Sequence, residues 1–100
     1  MIKHIVFWRL KESAHGNGKP ENARLIKQKL EGLRGRIPGL LAIELGIDTT
    51  ATPNSSDIVL YSEFSSQQAL NAYQVHPEHQ AIIPFVAEAQ CERRMVDYEY

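Results

Sequence analysis

Ala23–Ile47 reads ARLIKQKLEGLRGRIPGLLAIELGI, and within it the spacing of apolar residues switches from helical to extended at one Pro-Gly pair. Ala23, Ile26, Leu30, Leu33 and Ile37 recur at three- and four-residue intervals, with Lys27, Lys29, Glu31 and Arg34 between them. That spacing makes the apolar stripe of an amphipathic helix. Pro38 cannot continue a helical ladder and Gly39 can take a positive φ, so the helix is expected to stop at the Ile-Pro-Gly step. Beyond it, Leu41, Ile43, Leu45 and Ile47 alternate with Ala42 and Glu44, which predicts a strand over Leu40–Ile47.

Upstream, the segment Ile2–Leu10 places Ile2, His4, Val6, Trp8 and Leu10 on one strand face and Ile5 and Phe7 on the other. SAHGNGKPEN, Ser13–Asn22, follows as a turn-rich loop. Downstream, TTATPNSSD reads as a loop and DIVLYSEF as a short strand, β-branched at Ile58 and Val59. Ser65 or Ser66 can cap the next helix, with Gln68 three residues after Ser65 as a capping-box partner. Ala69, Leu70 and Tyr73 share one face of that helix. His76 precedes Pro77, which drives His76 out of helical conformation and suits Pro77 to the first turn of a new short helix. Ile82, Ile83, Phe85 and Val86 continue the apolar run, with Pro84 expected to close or bend it. The last strand is expected over Glu92–Tyr100, with Val96, Tyr98 and Tyr100 on one face and Met95 and Asp97 on the other. The order β-α-β-β-α-β describes one α+β domain over residues 1–100: a ferredoxin-like, four-stranded antiparallel sheet with its helices on one face.

With 43% hydrophobic and 23% charged residues, the chain has the composition of an ordinary globular domain. A formal net charge of -1 and the lack of any long basic run argue against nucleic acid as a partner. The single cysteine, Cys91, permits no intrachain disulfide and reads as a small buried filler. Lys3, His4, Arg9 and Lys11 interrupt the N-terminal apolar stretch, and no window approaches the roughly 20 apolar residues that cross a bilayer. A cytoplasmic protein with no membrane contact is therefore expected. Two helices cover only one side of the sheet, yet both strand faces carry apolar groups. The open side, with Ile5, Phe7 and parts of the second and fourth strands, calls for a two-fold homodimer closing sheet on sheet.

The chemistry-bearing stretch is Tyr73–His79, YQVHPEH. A histidine with an ordinary pKa of about 6.5 is available as a base near neutrality, and a phenol can donate a hydrogen bond to a carbonyl becoming an enolate. On an unbroken helix His79 would lie about 120° from the face of Tyr73, and the break at His76-Pro77 can re-aim it. The same residues have structural readings: Tyr73 as a core tyrosine with its hydroxyl at the rim, His76 as a helix terminator, His4 as a satisfied core group. Two histidines three apart around Glu78 fall short of the three or four ligands a zinc site needs, and neither His15 nor Cys91 extends the set, so no metal is expected. HGNGKP lacks P-loop spacing. Glu44 and Glu63 fit surface sheet positions, and Arg93 and Arg94 fit an edge-strand charge guard.

IKHIVFWRL, IPGLLAIELG, DIVLYSEF followed by ALNAYQVHPEHQ, and the closing RRMVDYEY together resemble the stress-responsive α/β barrel family, often abbreviated Dabb. The likeness spans nearly the whole chain, and AYQVHPEH is its most specific part. It implies a homodimer whose two sheets form a barrel with helices outside. A plant polyketide cyclase of this family uses the tyrosine and the last histidine of the motif as a catalytic pair, in a pocket also lined by a first-strand histidine. By motif position these are Tyr73, His79 and His4, and His76 matches the motif's first histidine. The cyclase has a further histidine at its third strand, where this sequence has Asp57, Ile58 and Val59. The resemblance implies a sheet–helix pocket for a small aromatic or polyketide-like molecule, with no cofactor. His76, Val6, Trp8, Tyr61, Leu70 and Phe85 are expected to line it, with Leu10 and Val86 beside them. His79 would be the base, Tyr73 the donor and His4 an orienter. The alternatives are a non-catalytic ligand-binding or stress-protective dimer, or a cofactor-free monooxygenase or isomerase of a similar barrel type.

Overall fold

A computed structural model describes residues Met1–Tyr100. Strand β1 (Ile2–Leu10) leads into a miniature hairpin of β2 (Ser13–Ala14) and β3 (Asn17–Gly18), then helix α1 (Lys19–Glu31), β4 (Leu40–Ile47), β5 (Ile58–Phe64), helices α2 (Gln67–Gln74), α3 (Pro77–Gln80) and α4 (Ile83–Ala89), and β6 (Gln90–Glu99). The four long strands form one antiparallel sheet in the order β4-β5-β1-β6, the ferredoxin-like α+β arrangement. The helices share one face of it, over a core that includes Val6, Ile26, Leu30, Leu45, Leu60, Phe64, Leu70 and Tyr73.

Local chemistry shifts several boundaries from those expected. The Ser13–Asn22 stretch is not simply loop: His15 and Gly16, both at positive φ (56° and 75°), make the two-residue turn whose twist suits a tight hairpin. Buried Asn22 ties that hairpin to α1 by donating from Nδ2 to the Ala14 carbonyl at 3.0 Å. Helix α1 starts earlier than Ala23 because Pro20 is tolerated in the first turn. It ends at Glu31, with Gly32 as cap; Leu33 and Ile37 are still buried, but from the turns that follow. Gly39 then turns the chain into β4 at φ 81°. Any Cβ placed there would stand 2.5 Å from the Ala69 Cβ of α2, so only glycine fits between the β4 entry and α2.

Strand β4 departs from clean alternation at its start, because the register slips between Leu40 and Ala42. Leu41 becomes the extra, bulged residue and is exposed, while Ile43 and Leu45 are buried. Ser66, rather than Ser65, caps α2, its hydroxyl accepting the Ala69 N–H at 3.1 Å. Pro84 opens α4 instead of closing the preceding piece: it lies in that helix's first turn, where its missing N–H costs nothing. Cys91 is exposed, not a buried filler, because β6 is an edge strand and its residues beyond Gln90 are all exposed in the protomer. No helix is long and apolar enough to cross a membrane.

The face away from the helices carries Lys3, Ile5 and Phe7 of β1, Val59, Tyr61 and Glu63 of β5, and Val96 and Tyr98 of β6, as the strand registers require. Phe7, Val96 and Tyr98 remain 39%, 45% and 44% exposed, an apolar band across the sheet that nothing in the protomer covers.

Candidate functional site

Between the β1/β6 half of the sheet and helices α1 and α2–α4 lies a cavity of about 260 Å³. Its floor is His4, Val6 and Trp8 of β1 with Leu60 of β5. Tyr73 and Gln74 at the end of α2, His79 of α3 and Val86 of α4 form the roof, and Arg93 of β6 stands on one side. A second depression, of about 370 Å³ and more open, is lined by Phe7, Ile47, Ile58 and Val59 with Asp48, Asn54 and Ser56 and does not include the His4–Tyr73–His79 group.

The break between α2 and α3 builds the roof. His76 adopts an extended conformation (φ -68°, ψ 134°) and its Nδ1 accepts the Glu78 N–H at 3.1 Å, capping the four-residue α3. The chain thereby folds back, and the ring of His79 lies over that of Tyr73, with centroids 4.1 Å apart and planes inclined by 33°. An unbroken helix would have carried His79 to another face.

Each group has a definite electrostatic setting. Burial pushes the Tyr73 phenol well above the usual tyrosine range, with Arg93 a smaller opposing influence, so the hydroxyl keeps its proton. That hydroxyl is fully buried and finds no hydrogen-bond partner in the protein. Burial also lowers the pKa of His79; its hydrogen bond to the Gln74 carbonyl opposes this, while the neighbouring His4, Arg93 and His76 reinforce it. His79 Nδ1 lies 3.4 Å from that carbonyl; with the proton on Nδ1, Nε2 keeps the free lone pair a base needs. His4, 2% exposed, donates from Nδ1 to Asp97 Oδ1 at 2.5 Å. Asp97 is its register partner on β6, so the carboxylate fixes the ring, and the Nδ1 proton, from the neighbouring strand. The rings of His4 and Tyr73 meet edge to face, 6.2 Å between centroids. No three His, Cys, Asp or Glu side chains are grouped to hold a metal ion.

Of the residues expected from sequence to act in or line the pocket, the structure brings His4, Val6, Trp8, Tyr73, His79 and Val86 to this cavity. The remainder lie elsewhere. Tyr61 is on the opposite sheet face, because Ile58, Leu60, Ser62 and Phe64 take the helix-facing positions of β5; its hydroxyl donates to Glu63 Oε2 at 2.7 Å. Phe85 points away from the cavity, stacked on His15 with centroids 4.0 Å apart, while His15 Nε2 donates to the Phe85 carbonyl at 2.9 Å. Leu70 and Leu10 are core, and His76 is a cap. Asp57, where the cyclase pattern has a histidine, accepts the Leu10 N–H at 2.7 Å and pairs with Lys19, a tie between loop and strand end. Sequence reasoning missed Arg93 and Asp97. The placement of Met95 and Asp97 on one face already implied Arg93 beside them, but only the β1/β6 register puts Arg93 opposite Trp8 and Asp97 opposite His4.

Residues 2–100 match the family model described as Stress Responsive A/B Barrel Domain. No curated protein matches the chain. Among solved structures, a dimeric protein of unknown function and ferredoxin-like fold from Bacteroides fragilis is 33% identical, with a TM-score of 0.85 over 99% of this chain and 95% of that one. A dimeric ferredoxin-like protein of unknown function from Thermobifida fusca is 23% identical, also at 0.85, over 99% and 90%. A hydroxynitrile lyase from Passiflora edulis is 17% identical at 0.79, over 97% and 90%, a likeness of fold alone.

Proposed function

This chain belongs to the Dabb family, the stress-responsive α/β barrel domains, and on that footing we propose that it binds a small aromatic or polyketide-like molecule in the sheet–helix cavity and promotes cofactor-free proton transfer on it. It works as a homodimer joined through the open sheet faces, in keeping with the dimeric relatives. The observation that carries this reading is the buried, unpartnered Tyr73 hydroxyl beside a His79 whose pKa is lowered by burial. A hydroxyl left so in a packed core is costly, and a ligand carbonyl would complete it.

In this reading His79 Nε2 removes a proton from a carbon next to a carbonyl. The electron pair moves onto the carbonyl oxygen, and Tyr73 O–H stabilises the resulting enolate by donating a hydrogen bond to it. His4, held by Asp97, sets the geometry. The test is a screen of linear β-polyketide mimics, phenols and quinones for turnover without added cofactor. Conversion by the native protein, lost in His79→Gln with the fold retained, supports the mechanism. Equal conversion by the variant removes His79 from it, and binding without any conversion replaces the enzyme by a ligand-binding dimer.

A further inference from the structure

Two donors at the cavity have no partner in the protein. Trp8 Nε1, like the Tyr73 hydroxyl, is buried without a hydrogen-bond partner in the protein. An indole N–H can only donate, and a phenol that keeps its proton has one to offer as well. Arg93 also lines the cavity. It is the register partner of Trp8 across β1 and β6, so both side chains stand on the helix-facing side, with Cβ atoms about 4.5–5.5 Å apart as for any directly opposed pair. Arg93 enters no ion pair: the neighbouring Glu92 is engaged by Arg9 and Arg94. Gln90, Gln74 and the two histidines complete the polar lining, and no Asp or Glu belongs to it; the nearby Asp97 carboxylate is taken by His4. Nine of the fourteen lining residues are hydrophobic, so the body of a fitting molecule is apolar.

We propose that the cavity takes an apolar molecule bearing a carboxylate, which is held by the Arg93 guanidinium and the Trp8 indole N–H; this rests on the cavity being the ligand site. A neutral carbonyl satisfies one donor but leaves the guanidinium without a counter-charge. A carboxylate has an oxygen for each, and charge-assisted bonds to arginine are the strong ones. Bound in this way, the molecule presents the rest of its framework to Tyr73 and His79. Arg93 and Trp8 thus set which molecules enter, while the tyrosine and histidine act on what is held.

A pair of probes equal in shape and different in charge tests this: para-propylbenzoate and para-propylbenzamide. Affinities are measured by calorimetry, and the site of binding is read from the indole N–H signal of the sole tryptophan. The benzoate is expected to bind at least about tenfold more tightly than the amide, a ratio corresponding to about 1.4 kcal/mol, and to move the Trp8 signal downfield. Arg93→Met, at an exposed position, should bring the benzoate down to the affinity of the amide without changing the amide. Trp8→Phe, which keeps a ring in place, should weaken the benzoate more than the amide. Equal binding of the two probes at the cavity overturns the carboxylate preference and leaves the cavity as a ligand site. A preference that survives Arg93→Met overturns the role of Arg93, and with it the proposal. Failure of both probes to move the Trp8 signal removes the cavity as the ligand site, and the preference with it.

Discussion

At the scale of single residues, the two groups of the YQVHPEH stretch differ in what their burial costs. The Tyr73 ring fills the core, in contact with Phe64 at 5.0 Å between centroids, while its hydroxyl is buried without a partner. An unsatisfied buried polar group costs on the order of 1–3 kcal/mol, so Tyr73→Phe should leave stability unchanged or raise it by about 1 kcal/mol while impairing ligand binding. A urea midpoint that drops sharply in this variant would mean the hydroxyl has a structural partner, which contradicts the reading of the site. For His79, the sign of the pH effect follows from its lowered pKa. The unfolded chain takes up the proton near pH 6.5, and the folded protein only at lower pH. The stabilising contribution is therefore complete above about pH 6.5 and is lost as pH falls through the folded-state value. Urea melts between about pH 5 and pH 8 should show this acid-side decline, with a smaller slope in His79→Gln; identical slopes would mean that burial does not depress the histidine.

At the scale of elements, the turn chemistry decides where functional groups go. Pro77 in the first turn of α3 and the His76 cap fold that helix back over Tyr73, and this break was legible because proline restricts the residue before it. Gly39 is a second such point: a side chain there meets both an unfavourable φ and the Ala69 Cβ. Gly39→Ala should cost about 1–3 kcal/mol, read from a denaturant midpoint, whereas Gly35→Ala, with open space around it, should show the φ penalty alone and lose less. The order of the main elements and the helix-facing side of β1 were likewise legible, since apolar spacing reports them directly. The positions of Tyr61 and Phe85 were not. Tyr61 is an amphipathic side chain on a strand apolar on both faces, so composition does not state its parity; Phe85 went to His15, a partner seventy residues earlier in sequence. The His4–Asp97 and Trp8–Arg93 pairs join opposite ends of the chain, and only strand register reveals them.

At the scale of the whole molecule, the helices bury one face of the sheet and leave the band of Ile5, Phe7, Val96 and Tyr98 on the other. An exposed apolar patch of this kind is characteristic of an association surface, and two proteins of similar fold are described as dimeric. Sedimentation equilibrium should find a dimer at micromolar concentration, and Phe7→Glu with Val96→Glu should give a folded monomer; a monomeric native protein would leave the open sheet face unexplained. The cavity lies on the other side of the sheet from that band, so ligand binding and dimerisation are expected to be separable in that variant. Whether the cavity takes a ligand is decided by NMR titration of the labelled protein with small phenols, quinones, aromatic carboxylates and linear polyketide mimics. Shifts clustered at Trp8, Tyr73, His79 and His4 are the predicted result. Silence at all four across the panel, or shifts confined to the open sheet face, would contradict it and leave the His-Pro-Glu-His turn as the end of a helix.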